Sequence, residues 1–161
     1  MHPAHEHNGI ERFAWAALRI MAGLMFSMHG MQKLFGMWGG PMGNGQGVPP
    51  FSFPFGVAGI IELVMGLLIA IGLFARPAAL IASGQMAVAY WWQHVPNGGI
   101  MPIPNQGELA ALYCFVFLFF AVFGAGRFSL DSLMRRRNEA AEMSHLPPGP
   151  APERARTQVG G

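Results

Sequence analysis

Four long apolar runs, at residues 13–35, 55–74, 77–95 and 107–126, constrain this chain more than any other feature. A helix rising about 1.5 Å per residue needs roughly 20 apolar residues to cross the hydrocarbon of a bilayer, and each run is close to that length. Charged residues make up only 11% of the chain, against about 25% in an ordinary soluble domain. The pattern predicts an all-α fold: a polytopic membrane four-helix bundle.

The basic residues give the bundle a direction. Arg12 precedes the first run, Arg76 lies between the second and third, and Arg127, Arg135, Arg136 and Arg137 follow the fourth. The connections 37–54 and 96–106 contain neither Lys nor Arg. Positive charge is retained on the cytoplasmic side, so both termini are expected in the cytoplasm and both uncharged loops outside. The expected location is the cell (inner) membrane. Trp15 suits an inner aromatic belt, and Trp38, Tyr90, Trp91 and Trp92 an outer one.

This placement also removes nucleic acid from the expected partners. The formal charge of +2 comes from residues positioned where anionic lipid attracts them. Cys114 is the single cysteine, so dithiol chemistry is absent, and its mid-run position reads as packing. Residues 1–11 form a polar tail in which His2, His5 and His7 surround Glu6; nothing enforces metal geometry there, and no metal site is expected. The bundle domain is expected over 12–132. Residues 133–161 read as a basic, then Pro/Gly-rich, disordered cytoplasmic tail, although a short amphipathic helix fits its first part. The glycine-rich loop at 37–54 suits either a lid or an interfacial connector.

Ionisable groups inside the runs are costly and normally face partners in the bundle. His29 and Lys33, four apart, share a helix face, with Gly23 and Gly30 near it and Gln32 about 60° away. On the second run Ala58, Glu62, Gly66 and Ala70 form one row, which places a carboxylate in a small-residue stripe of the kind that packs tightly. Counted at about 1.5 Å per residue, Lys33 and Glu62 lie at matching depth, which predicts a buried ion pair with His29 beside it. His94 is shallower, and Glu108 follows Asn105 as in a capping box. His29, Gln32, Lys33, Glu62, His94 and Glu108 are therefore the candidates for a polar pocket in the outer half. Arg19 has no acidic counterpart at its depth and is expected to reach the inner headgroups with its long stem.

HGMQKLFG at 29–36, GIIE at 59–62, GLFARPAAL at 72–80, NQGE at 105–108 and GAGRFSLD at 124–131, in this order, resemble the DoxX family of small four-helix membrane proteins. The resemblance covers 12–132. Gln106 stands where the family often has the first of two glycines, so the turn before Glu108 departs from the family pattern. The resemblance implies the bundle fold and an association with membrane oxidoreduction, including thiosulfate and quinone chemistry.

Two functions follow. One is a membrane oxidoreductase component or quinone-interacting subunit, in which a histidine near a carboxylate supplies protons; with no cofactor motif, it would work with a redox partner subunit rather than as a self-sufficient enzyme. Haem fits less well than quinone, because His29 and His94 differ in depth by roughly 10 Å. The alternative is a small-solute or proton carrier, or a non-catalytic assembly partner of another membrane complex, with a homo-oligomer enclosing any pathway.

Overall fold

A computed structural model describes residues 9–145. The N-terminal histidines and residues 146–161 lie outside that range. The regular elements among the described residues are all helical, in the order α1 (Gly9–Phe35), a 3-10 turn (Met37–Gly39), α2 (Phe55–Ile71), α3 (Ala75–Ala89), a π turn (Tyr90–His94), α4 (Val95–Gly98), α5 (Glu108–Phe123) and α6 (Leu130–His145). Helix α6 runs through the expected limit at 132. Asp131 stands in its first turn, and Arg135 meets Glu139 one turn on.

Backbone punctuation sets where the helices stop. Gly72, at φ 71°, ends α2 with its N–H and that of Leu73 both donating to the Leu68 carbonyl, a Schellman-type end that a residue with a Cβ adopts only at a cost. Gly124, also at positive φ, 82°, ends α5 with its N–H donating to the Phe120 carbonyl. The expected second and fourth runs are thereby cut to 17 and 16 residues. No helix among the described residues is long and apolar enough to cross a membrane. Helix α1 has the length, 27 residues, but carries Arg19, His29 and Lys33; α2 and α5 have the apolarity but are short. This corrects the expectation that each apolar run forms one uninterrupted spanning helix.

Helices α1 and α2 form one antiparallel pair, and α3 and α5 another. The first pair closes on glycine. A Cβ added to Gly23 would lie 2.6 Å from the Ala70 nitrogen, and one on Gly30 2.5 Å from that of Leu63. The α1–α2 backbones touch at both ends of the seam, as small-residue interfaces permit. The second pair closes on alanine against phenylalanine: Ala78, Ala79 and Ala82 pack with Phe117 and Phe120, and Ser83 donates its hydroxyl to the Cys114 carbonyl at 2.8 Å. Phe26 of α1 joins the two pairs through Tyr113 and Phe117. Large apolar side chains of every long helix also face outward, among them Met21, Leu67, Leu80 and Phe115.

The loop after α1 folds back on the helix, where the Val48 N–H donates to the Lys33 carbonyl at 2.9 Å. The π turn has a consequence for the site. One extra residue per turn rotates everything after it, so His94 leaves the row it would share with Met86 on a regular helix.

Candidate functional site

Close approach of α1 and α2 creates the space in which the polar centre forms. Gly59 leaves room for the stem of Lys33, whose Cβ would sit only 3.1 Å from a Cβ added there. Lys33 passes over it and donates Nζ to Glu62 Oε2 at 2.5 Å. From α3, Gln85 Nε2 donates to the other oxygen, Glu62 Oε1, at 2.9 Å. Glu62 is 2% exposed. A carboxylate this deep is tolerable because a full charge and an amide dipole meet its two oxygens. Three helices converge on one side chain.

Around this carboxylate lie two further polar groups. His29, one turn before Lys33 on the same helix, is within electrostatic reach of both Lys33 and Glu62. Its ring meets the edge of Tyr113 from α5, centroids 6.2 Å apart and planes at 86°. Tyr113 is 5% exposed, yet its hydroxyl has no hydrogen-bond partner among the described residues, and the same holds for Gln85 Oε1. Buried polar atoms are rarely left without a partner; the others among the described residues are guanidinium nitrogens of Arg12 and Arg19, away from this centre.

The structure places His29, Gln32, Lys33 and Glu62 together and puts His94 and Glu108 elsewhere. His94 Nδ1 lies 3.1 Å from the Asn105 carbonyl oxygen, and its ring rests against Tyr90. The loop these residues stabilise is held by Asn105, which donates Nδ2 to the Gly99 carbonyl and accepts from the Gly107 N–H, both at 2.7 Å. Asn105 thus spends its side chain on a local turn, and Glu108 begins α5 as an exposed first-turn carboxylate without the reciprocal bond of a capping box. Gln106 holds a left-handed backbone, at φ 58°, the conformation that glycine adopts most readily. His29 and His94 pack on different tyrosines, Tyr113 and Tyr90.

Gln85 and Tyr113 are the members of the centre that sequence reasoning missed. A glutamine on a small-residue helix face was the available signal for the first; for Tyr113, one aromatic among many, there was none. The expectation for Arg19 is overturned. It is 2% exposed and turns inward, donating NH2 to the Phe128 carbonyl at 2.7 Å. The loop after α5 folds over α2's glycine end, with the Asp131 N–H donating to the Gly72 carbonyl, and so brings the Phe128 carbonyl to the guanidinium. Asp131 also stands out here: its two oxygens accept from the Phe74 and Ala75 N–H groups at 2.9 and 3.0 Å, capping α3 from 56 residues away in sequence.

Known relatives bear on what this arrangement serves. An uncharacterised protein of Haemophilus influenzae is 42% identical over 134 residues, covering 78% of this chain and 96% of the relative. An uncharacterised membrane protein of Mycobacterium tuberculosis is 29% identical over 138 residues, covering 76% and 82%. No solved structure matches the chain. The DoxX family model matches residues 14–95, from the start of α1 through the π turn, and the chain belongs to this family of membrane proteins.

Proposed function

We propose that the protein is a multi-pass subunit of a membrane oxidoreductase, with both termini cytoplasmic, and that its polar centre is the proton-handling wall of a quinone site. The observation that carries this reading is the Tyr113 hydroxyl, buried and without a partner among the described residues, beside His29 and the Lys33–Glu62–Gln85 cluster. A quinone carbonyl accepts a hydrogen bond, which an orphaned hydroxyl offers. Bound there, the quinone supplies two-electron chemistry coupled to protons. The chain's own part is to orient and to exchange protons. Tyr113 donates at the carbonyl position, His29 passes protons between the site and its surroundings, and the ion pair holds the α1–α2–α3 junction rigid. Electrons come from a partner subunit.

The bilayer setting is supported by the outward-facing apolar side chains of the long helices, a surface far larger than a soluble monomer leaves uncovered. Helices of 16 and 17 residues measure about 25 Å, short of the ~30 Å hydrocarbon. Local thinning and the aromatic flanks, including Phe51, Phe53, Trp91 and Trp92, accommodate that difference.

The test is a lipid extract of detergent-purified protein. Co-purifying quinone, lost in Tyr113→Phe while the protein stays folded, is the expected result. A quinone-free preparation that instead moves protons in vesicles in a Glu62-dependent manner would establish the carrier reading. Topology is checked separately in a Cys114→Ala background. Cysteines introduced at Gly43 and Asn97 should react with an impermeant thiol reagent from outside, and one at Asn138 should not.

A further inference from the structure

At the end of the bundle opposite the Glu62 centre, the starts of α1 and α3, the loop after α5 and the first turns of α6 enclose a cavity of about 780 Å³. Five arginines line it: Arg12, Arg76, Arg127, Arg135 and Arg136. We propose that this cavity binds a phosphate-bearing anion, either the phosphodiester of an acidic lipid headgroup or free phosphate.

The acidic residues of the lining do not cancel the arginines. Asp131 spends both oxygens on the N–H groups of Phe74 and Ala75. Glu139 faces Arg135 at 3.6 Å on the exposed rim. Glu11 is the third carboxylate, so five positive charges meet three negative ones. The hydroxyls are also committed: Ser129 donates to the Gly126 carbonyl and Ser132 to that of Arg127. The guanidinium groups are therefore the donors left for a ligand. Arg76 uses one nitrogen on the Val122 carbonyl, and Arg12 Nε is buried without a partner among the described residues.

Every cation here is an arginine. The planar fork of the guanidinium matches two oxygens of a phosphate at once, which an ammonium does not. Trp15 and Phe123 supply an apolar wall, and Phe123 is itself largely exposed on the outside of the bundle. A ligand with a charged head and an apolar tail fits a cavity that opens beside such a surface. The lipid arm rests on the bilayer reading above, which places this end at the cytoplasmic headgroups; the phosphate chemistry does not.

The experiment titrates the full chain, purified in neutral detergent, with phosphatidylglycerol, phosphatidylcholine and inorganic phosphate, reading bound mass and thermal shift. Phosphatidylglycerol should bind and raise the Tm where phosphatidylcholine does not. Arg12→Gln with Arg136→Gln should weaken that binding about tenfold or more, each charge-assisted contact being worth roughly that factor. Arg137→Gln removes the same charge from the neighbouring position, outside the cavity lining, and should leave affinity within about twofold, as surface charge alone contributes little. A shift of equal size from inorganic phosphate, lost in the same variants, would identify the soluble anion as the ligand. Equal losses in Arg136→Gln and Arg137→Gln, or no discrimination between the two lipids with phosphate silent, would overturn the proposal. Failure of the bilayer reading has a different signature: recovery of the chain from the soluble fraction, with the phosphate response intact.

Discussion

The two charged regions of the bundle hold their charges differently. In the Glu62 centre, charge meets charge, with Lys33 on one oxygen and Gln85 on the other. At the basic end, charge meets backbone. Arg76 donates to the Val122 carbonyl in the last turn of α5, Arg19 donates to the Phe128 carbonyl, and Asp131 accepts from the first N–H groups of α3. Helix ends carry partial charges of about half a unit, negative at the C-terminus and positive at the N-terminus. An arginine on α5's end and an aspartate at α3's start are therefore each met by a helix dipole, and Asp131 also lies within electrostatic reach of Arg19. A pair can be removed as a pair; a charge held by a dipole has no side chain whose removal compensates for its loss.

The largest effect expected from this contrast is at the ion pair. Lys33→Met leaves Glu62 buried with only an amide beside it and should cost about 3 kcal/mol, the low end of what breaking a buried pair costs. Glu62→Gln should cost less, because the Lys33 side chain is 19% exposed and its ammonium can turn to solvent. The double variant should recover part of the loss in thermal melts. Strictly additive losses would show that the two residues do not depend on each other, and the centre would then be no different from the basic end.

Asp131 comes next. Asp131→Ala removes two acceptors from the start of α3 and should lower stability by about 1–2 kcal/mol, the range for a lost helix cap. Asp131→Asn keeps one acceptor and should fall between. No single second-site substitution should restore Asp131→Ala, whereas Glu62→Gln should partly restore Lys33→Met. A suppressor among the nearby arginines would mean that Asp131 acts as an ion-pair partner and that the contrast is false.

Arg19→Lys is smaller. A lysine carries the charge but not the reach or planarity of the guanidinium, so the bond to Phe128 should be lost or stretched, at about 1 kcal/mol. A silent substitution would favour a stem that simply extends to the membrane surface. The difference between that expectation and the inward-turned Arg19 shows where sequence reading stops. Depth along a helix is a one-dimensional quantity, and it suffices to set Lys33 level with Glu62. Face and partner are three-dimensional. Gln85 and Tyr113 reach the centre because α3 and α5 pack where they do, and Arg19 turns inward because the loop after α5 folds back over Gly72. The all-helical class and the glycine seam were legible because small residues recur at four-residue spacing on α2. The shortened helices were not. Gly72 and Gly124 read as members of apolar runs until their positive φ values mark them as ends, and nothing in the run of residues before Tyr90 announces a π turn.

The smallest expected effect is a gain, and it tests the turn before α5, at the opposite end of that helix from the arginines. Gln106 holds a left-handed backbone, φ 58°, between Asn105 and Gly107, whose side-chain and N–H groups close the turn at 2.7 Å. For a residue with a Cβ that conformation costs roughly 1 kcal/mol relative to glycine. Glycine also gains freedom in the unfolded chain, which offsets part of the benefit. Gln106→Gly should therefore raise stability by about 0.5 kcal/mol, read as a small increase in Tm, and leave the response to Lys33 and Asp131 substitutions unchanged. A loss instead would mean that the exposed Gln106 side chain makes a contact worth more than the strain.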